Sequence, residues 1–178
     1  MRRAARRGRA GAALHHDEPL HSHAGDLGPA GTEHLVRTTA RTSATPAQVW
    51  EVLGQPARWP EFEPLLRRVR GTRGAAAAGQ TLLGVSRVVN LAVPLDVREV
   101  DPARRLVVRV RAAPGVDHVL TVDLLPVVSG GTDIVCTVVV DGLFARAAAG
   151  PLWLASGLTV RLLAVRAERL ARAARRAA

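Results

Sequence analysis

The sequence predicts an α+β fold in which a curved antiparallel β-sheet wraps around a long C-terminal α-helix, with two short helices after the first strand. Short runs rich in β-branched residues follow one another with only brief turns between them. A proline-rich segment separates the first run from the others. The chain ends in a stretch whose apolar residues recur every three to four positions. The 178 residues suffice for one such domain, which we expect to span residues 32–178.

Local signals predict the first two elements. Residues 34–41 (HLVRTTAR) are short and rich in β-branched side chains, which is typical of a strand. Thr45 is a suitable N-cap, and Pro46 suits the first position of a helix because its missing N–H would have no intrahelical partner there. We expect this short helix to end at Gly54.

The middle of the chain predicts a second short helical segment and then a series of hairpins. Residues 55–64 contain three prolines, which favours an irregular or one-turn helical segment. A glycine-rich loop follows at residues 71–79, and the short turns after it favour antiparallel pairing. The expected strands are residues 81–89, 91–100, 105–112, 118–127 and 132–140.

The last element is predicted to be a helix over about residues 152–176. Its apolar side chains, among them Leu158 and Leu162, keep helical spacing, and we expect them to face the sheet. The uncharged run at residues 147–160 contains Pro151 and is shorter than the roughly 18 residues that a membrane span needs. The pattern therefore favours a soluble helix whose arginines form a solvated face.

The positive charge of the chain is concentrated at its ends. The sequence has 25 arginines, no lysine and a formal net charge of +10. Residues 1–31 carry +2, residues 32–160 carry +3 and residues 161–178 carry +5. A nearly balanced central domain argues against a specific nucleic-acid partner. Weak contact between the arginine-rich C-terminal helix and an anionic membrane stays open.

Residues 1–31 mix arginine, histidine, glycine, alanine and proline without apolar periodicity, which predicts a disordered tail. Its short apolar stretch at residues 10–14 is too brief for a signal peptide, so we expect a cytoplasmic protein. The tail's four histidines could capture a transition metal, but ordering loose ligands costs entropy, and we expect no metal site. No nucleotide-binding motif is present, and no cofactor is expected. The single cysteine, Cys136, excludes an internal disulfide framework.

Three segments of the chain resemble the SRPBCC superfamily, the START-like, helix-grip group that includes polyketide cyclase/dehydrase-like and coenzyme-Q-binding-like proteins. The resemblance covers about residues 33–175 and implies a ligand cavity rather than a shared catalytic signature. The segments are residues 49–70 (VWEVLGQPARWPEFEPLLRRVR), 96–111 (DVREVDPARRLVVRVR) and 118–142 (HVLTVDLLPVVSGGTDIVCTVVVDG).

Strand parity predicts which side chains face such a cavity, because alternate residues of a strand lie on opposite faces. Parity predicts that His118 is the one histidine of the strands that points inward, so it is the best candidate for a general acid or base. A half-exposed structural histidine is the alternative, and the catalytic assignment stays open. The expected cavity residues are Trp59, Phe62, Leu106, Val108, Val110, His118, Leu120, Val122, Cys136, Val138, Phe144, Trp153, Leu158 and Leu162.

These observations lead to one favoured function and two alternatives. The favoured function is binding of a hydrophobic small molecule, such as a lipid, an isoprenoid or an aromatic polyketide, between the sheet and the C-terminal helix. The first alternative, which the resemblance implies, is a polyketide cyclase/dehydrase-type enzyme that uses the same cavity. The second is an arginine-rich binder of anionic membrane or nucleic acid. The sequence leaves the oligomeric state open.

Overall fold

The protein folds into a seven-stranded antiparallel sheet and a long C-terminal helix. The structure, a computed structural model, describes residues 33–88, 90–113, 116–141 and 145–177, so the predicted tail at residues 1–31 lies outside the described residues. The elements in chain order are β1 (His34–Thr42), α1 (Pro46–Leu53), a 3-10 helix (Pro56–Glu61), β2 (Leu66–Arg70), β3 (Thr81–Ser86), β4 (Ala92–Asp101), β5 (Arg105–Ala113), β6 (Val116–Pro126), β7 (Thr132–Asp141) and α2 (Ala145–Ala177).

The sheet confirms the predicted fold class. Its strand order is β1-β7-β6-β5-β4-β3-β2, and every neighbouring pair is antiparallel. Strands β2 to β7 follow one another as hairpins, whereas β1 returns to the far edge and pairs with β7 along its whole length. Register shifts interrupt the β2–β3, β4–β5 and β5–β6 ladders, and such bulges increase the bend of a sheet.

Ion pairs mark the outer face of the sheet. Arg105 Nε lies 2.7 Å from Asp123 Oδ1 across the β5–β6 ladder, and Arg109 pairs with Asp117 on the same face. These pairs confirm the predicted parity of the two strands, which turns their aliphatic residues inward.

Capping fixes the start of α1, and close packing fixes its end. The Thr45 hydroxyl accepts a hydrogen bond from the Gln48 N–H (3.3 Å), and the Gln48 side-chain carbonyl accepts one from the Thr45 N–H (2.9 Å). Gly54 follows the helix with an ordinary right-handed backbone. A Cβ at that position would lie 2.7 Å from Nε1 of Trp50. Glycine is therefore suited to this position because it has no side chain to clash with the Trp50 indole.

Two elements differ from the sequence-based prediction. Strand β2 was not expected, because Leu66–Arg70 is an edge strand dominated by arginine and lacks a run of β-branched residues. Helix α2 begins at Ala145, before the predicted start at residue 152, and includes Pro151. The proline removes a single backbone donor, the one that would bond the Ala147 carbonyl, while the helix continues on both sides.

The C-terminal half of α2 packs closely on β1. Its inner face there presents the small buried side chains of Ala164, Ala167 and Ala171. The Thr42 hydroxyl donates to the Ala164 carbonyl (3.3 Å), which ties the end of β1 to the helix backbone. The inner face of α2 therefore lies against the sheet, as predicted, although Leu158 and Leu162 are not part of it.

The turn between β6 and β7 provides a test of this packing. Gly130 and Gly131 both have left-handed backbones, with φ of 94° and 89°. A Cβ on Gly131 would lie 2.2 Å from the Thr42 carbonyl oxygen, whereas a Cβ on Gly130 would meet nothing within 4 Å. We expect Gly130→Ala to cost about 1–2 kcal/mol of unfolding free energy from backbone conformation alone.

Gly131→Ala combines that cost with a steric clash, so we expect it to destabilise the fold by at least about 2 kcal/mol more than Gly130→Ala. Urea unfolding of the two variants measures the difference. Equal destabilisation by both substitutions would contradict the contact between this turn and the end of β1.

Candidate functional site

A cavity of about 300 Å3 lies between the inner face of the sheet and the N-terminal half of α2. Apolar side chains from the sheet, the 3-10 helix and α2 form most of its wall. The cavity exists because α2 contacts β1 and β7 closely but leaves space above β4 to β6. Nine of the fourteen expected cavity residues line it. They are Trp59, Phe62, Leu106, Val108, Val110, His118, Leu120, Val122 and Val138.

The remaining expected residues lie elsewhere or outside the described residues. Cys136 is buried in the core two residues from Val138 and does not line the cavity. Burial raises the pKa of its thiol to about 12, so the thiol stays protonated and is a poor nucleophile. Phe144 falls in the part of the chain that the structure does not describe.

Three expected cavity residues of α2 face solvent instead. Trp153, Leu158 and Leu162 are exposed, so their assignment to the cavity was wrong. The physical reason is that α2 carries apolar residues on two opposite faces, and helical spacing alone does not say which of them meets the sheet. The residues of α2 that line the cavity are Leu152, Ala155, Ser156, Thr159, Val160 and Leu163.

The 3-10 helix is anchored by the indole of Trp59, whose Nε1 donates to the Leu53 carbonyl at 2.8 Å. Trp59 and Phe62 are both buried, and both line the cavity. This anchor sets the direction in which the next residue, Glu63, leaves the segment. The Glu63 side chain lines the cavity, whereas Glu61 turns outward and lies 2.7 Å from Nε of Arg166.

Glu63 is a candidate functional group that was not among the expected cavity residues, because the sequence leaves the geometry of Glu61 and Glu63 undetermined on an irregular segment. Its Oε1 accepts a hydrogen bond from the Leu65 N–H at 3.2 Å, and its Oε2 lies 2.7 Å from the Thr159 hydroxyl oxygen. Burial raises the pKa of the Glu63 carboxyl, and the hydrogen bonds from Thr159 and Leu65 oppose that rise. One feature of the sequence could have indicated a polar group here. Ser156 and Thr159 are polar side chains three positions apart in an otherwise apolar part of α2, and both line the cavity.

Burial, and not the contact with Thr159, favours a protonated Glu63. The Thr159 hydroxyl lies 2.7 Å from Oε2 of Glu63 and 2.9 Å from the Ala155 carbonyl oxygen. It can donate its one proton to either acceptor, and donation to Oε2 stabilises the carboxylate. Burial among apolar side chains has the larger effect on the pKa of Glu63 and raises it. The cavity thus holds a carboxyl group in an environment that favours its neutral form.

His118 provides the second titratable group of the cavity. It lies on β6 between Val110 of β5 and Val140 of β7, with its side chain turned inward. Burial lowers the pKa of His118, and the neighbouring Asp117 opposes this effect only in part. The buried Nδ1 atom has no hydrogen-bond partner among the described residues. A neutral imidazole with an unused nitrogen can bond a ligand oxygen or exchange a proton with it.

The site is therefore an apolar cavity with a few polar groups and no cationic side chain among its described lining residues. Within the described ranges, no three His, Cys, Asp or Glu side chains come together as a metal site would require. The chemistry that this arrangement can support is enclosure of an apolar molecule, hydrogen bonding to its oxygens, and proton transfer.

Comparison with known proteins identifies a family and a fold. Residues 33–176 match the model of a family described as polyketide cyclase / dehydrase and lipid transport. A search of curated protein sequences finds no significant match.

Solved structures share the architecture at low identity. The chain is similar to the ZhuI aromatase/cyclase from Streptomyces sp. R1128 (TM-score 0.64, 21% identity, covering 80% of this chain and 98% of that one). It is also similar to protein MLL2253 from Mesorhizobium loti (0.63, 20%, 76% and 98%) and to Ara h 8.0201 (0.60, 12%, 76% and 97%). At these identities the similarity establishes the fold alone.

The raised pKa of Glu63 predicts a pH-dependent gain in stability for Glu63→Gln. Because the folded protein holds this proton more tightly than the unfolded chain, its contribution is fully present below the ordinary pKa of 4.5 and is lost as pH rises through the folded value. Glutamine does not ionise, so the unfolding free energy of the variant should rise relative to the wild type as pH increases from 4 to 8.

Urea unfolding across that pH range measures this difference. Glu61→Gln is the matched control, because it removes a neighbouring carboxyl group that is ion-paired outside the cavity, and it should show no such gain. A difference between Glu63→Gln and wild type that stays constant with pH would contradict the assignment.

Proposed function

Because the chain belongs to the polyketide cyclase / dehydrase and lipid transport family, we propose that it binds a hydrophobic small molecule in the cavity between the sheet and α2. The observation that carries this proposal is the cavity itself, whose apolar wall is interrupted by Glu63 and His118. Its volume of about 300 Å3 lies at the lower end of the range for small-molecule sites. Each square ångström of apolar ligand surface buried there contributes about 25 cal/mol.

The polar groups of the cavity favour an uncharged, oxygenated ligand. No arginine is among the described residues that line the cavity, although the chain contains 25 of them. An ionised ligand carboxylate would be buried without a counter-charge, which costs several kcal/mol. A ligand hydroxyl or carbonyl could instead bond Nδ1 of His118 or a free lone pair of the Glu63 carboxyl. Neutral isoprenoids and aromatic polyketides fit this requirement better than fatty acids.

A cavity-filling variant tests the location of the site. Val110 lines the cavity, and Val107 lies on the opposite face of the same strand and does not. We expect Val110→Trp to weaken binding of a neutral ligand at least tenfold, since the indole occupies the ligand's space, and Val107→Trp to leave binding close to wild type.

Thermal shift and native mass spectrometry with farnesol, a neutral hydroxyanthraquinone and palmitate provide the measurement. The neutral compounds should bind and palmitate should not. Equal binding by the two variants would place the ligand elsewhere, and failure of every neutral compound to bind the wild type would count against the proposal as a whole.

A second candidate function is a cyclase or dehydrase reaction in the same cavity. The observation that favours it is the presence of a carboxyl group favoured in its neutral form, Glu63, and a neutral imidazole, His118, around one apolar space. In such a reaction the imidazole takes a proton from the carbon next to a ketone, and that carbon forms a bond to a second carbonyl carbon. The imidazolium returns that proton to the new alkoxide, which becomes a hydroxyl. The Glu63 carboxyl group then protonates the hydroxyl, which leaves as water while the neutral imidazole takes a second proton from the same carbon. Transfer of that proton from the imidazolium to the Glu63 carboxylate restores both groups.

If the protein catalyses this reaction, we expect His118→Gln to lower kcat about a hundredfold or more, because general acid–base groups typically contribute that much. His34→Gln is the matched control. His34 also lies on the inward face of its strand, so the expectation that His118 alone points inward was wrong, but His34 does not line the cavity. Turnover of a poly-β-ketone thioester analogue, followed by absorbance of the aromatic product, provides the readout. Unchanged kcat in His118→Gln would remove that residue from the reaction, and no wild-type turnover would leave ligand binding as the function.

A further inference from the structure

The outer face of α2 exposes a row of apolar side chains that neither the core nor the cavity uses. Leu154, Leu158, Leu162 and Val165 are 66%, 46%, 36% and 43% exposed. Their spacing of four, four and three residues places them on one line along the helix, which we call the outer stripe. The opposite face of the same helix is buried against the sheet. Only 28% of the most apolar 18-residue stretch of α2 is buried, so the core covers a minor part of it.

The outer stripe continues directly into a row of arginines. Arg169, Arg172 and Arg176 follow Val165 at intervals of four, three and four residues, so they lie on the same line, and all three are exposed. We call these three arginines the basic end. Arg161, which is also exposed, flanks the outer stripe.

An acidic side chain neutralises one arginine of this face, Arg172, and leaves the others unpaired among the described residues. Glu168 is the one acid in the sequence of α2, and its carboxylate accepts hydrogen bonds from the Ser43 N–H (3.2 Å) and from Arg172 (2.9 Å). Arg161, Arg169 and Arg176 form no ion pair with any described residue. The surface is therefore apolar at one end and cationic at the other.

We propose that the outer stripe and the basic end dock α2 on the surface of an anionic phospholipid bilayer. Leucine and valine side chains enter the boundary between headgroups and acyl chains, while the guanidinium groups bond lipid phosphates. The row from Leu154 to Arg176 is about 33 Å long at 1.5 Å per residue, so both ends meet the membrane only when α2 lies nearly parallel to its plane. This docking does not depend on a ligand in the cavity, because the residues involved face away from it.

Two other occupants fit this face less well. By length and composition α2 could cross a bilayer, but a crossing helix would have to leave β1 and β7, where its inner face is packed. A second copy of the chain, paired in parallel along the same line, would bring two basic ends together, where like charges repel. A second copy paired antiparallel over the outer stripe would leave both basic ends without a partner. An anionic bilayer satisfies the apolar and the charged parts at once.

Co-sedimentation of the full chain with vesicles tests the apolar part. We expect binding to vesicles of phosphatidylcholine and phosphatidylglycerol (7:3) and much weaker binding to pure phosphatidylcholine. The triple variant L154Q/L158Q/L162Q should bind the anionic vesicles at least about tenfold more weakly. The triple variant L35Q/L125Q/V128Q removes three exposed aliphatic side chains elsewhere and should bind as wild type does.

A charge-matched pair of variants tests the basic part. R161Q/R169Q/R176Q and R37Q/R68Q/R73Q change the net charge equally, but the second set lies on the sheet and its loops, and all six residues are exposed. At roughly fivefold for each juxtamembrane arginine, the first set should lose about a hundredfold of its affinity for anionic vesicles. The second set should lose far less.

Several results would overturn the proposal. Anionic-vesicle binding that both α2 variants leave unchanged would assign it to another surface. Equal losses of affinity in the two charge-matched variants would show that binding depends on the net charge of the protein and not on the basic end. A concentration-dependent dimer in sedimentation velocity that L154Q/L158Q/L162Q abolishes would identify a second copy as the occupant.

Trp153, 56% exposed beside the outer stripe, should shift its fluorescence to the blue on anionic vesicles, and a Trp153→Phe variant should lose that shift.

Discussion

The close packing of α2 on β1 is the contact on which the rest of the structure depends. Alanine at positions 164, 167 and 171 lets the helix backbone approach the sheet, and the Thr42 hydroxyl bonds the helix at Ala164. Larger side chains there would lift the helix and change the space above β4 to β6. The cavity is thus a consequence of where the helix is held, because one straight helix cannot follow a curved sheet along its whole length.

The same contact divides the polar groups of α2 between two roles. Glu168, near the close contact, bonds the backbone at Ser43 and stabilises the start of the connection to α1. Thr159, about two and a half turns earlier, faces the cavity and lies within hydrogen-bond distance of Glu63. A hydroxyl bonded only to the helix backbone would be structural. Because Thr159 also lies within hydrogen-bond distance of Glu63, it links α2 to the segment after the 3-10 helix. The protonation state of Glu63 therefore affects the contact between these two walls of the cavity.

Sequence reasoning predicted the order of elements and the inward faces of β5 and β6, because strand parity and turn residues act locally. It missed β2, whose arginines are tolerated only because an edge strand has one neighbour. It also placed Leu158 and Leu162 on the face of α2 that meets the sheet, although both are exposed. A helix that is apolar on two faces shows the same spacing of apolar residues on each of them, so spacing alone does not identify the inner face. Sequence reasoning did not predict the position of Glu63, because no apolar periodicity describes a 3-10 segment. The direction of Glu63 depends instead on Trp59, whose indole donates to the Leu53 carbonyl six residues earlier in the chain.

The distribution of arginine connects the two proposals. The chain has 25 arginines, yet the described lining of the cavity contains none, whereas α2 carries them on its exposed surface. Arginine stays charged at every physiological pH, so a cavity without it offers no compensation to a ligand carboxylate, and an exposed row of it offers such compensation to lipid phosphates. The proposed neutral cavity ligand and the proposed docking of α2 on an anionic bilayer therefore both follow from one arrangement. A single helix separates them, with Ser156, Thr159 and Leu163 on one face and Leu158 and Leu162 on the other.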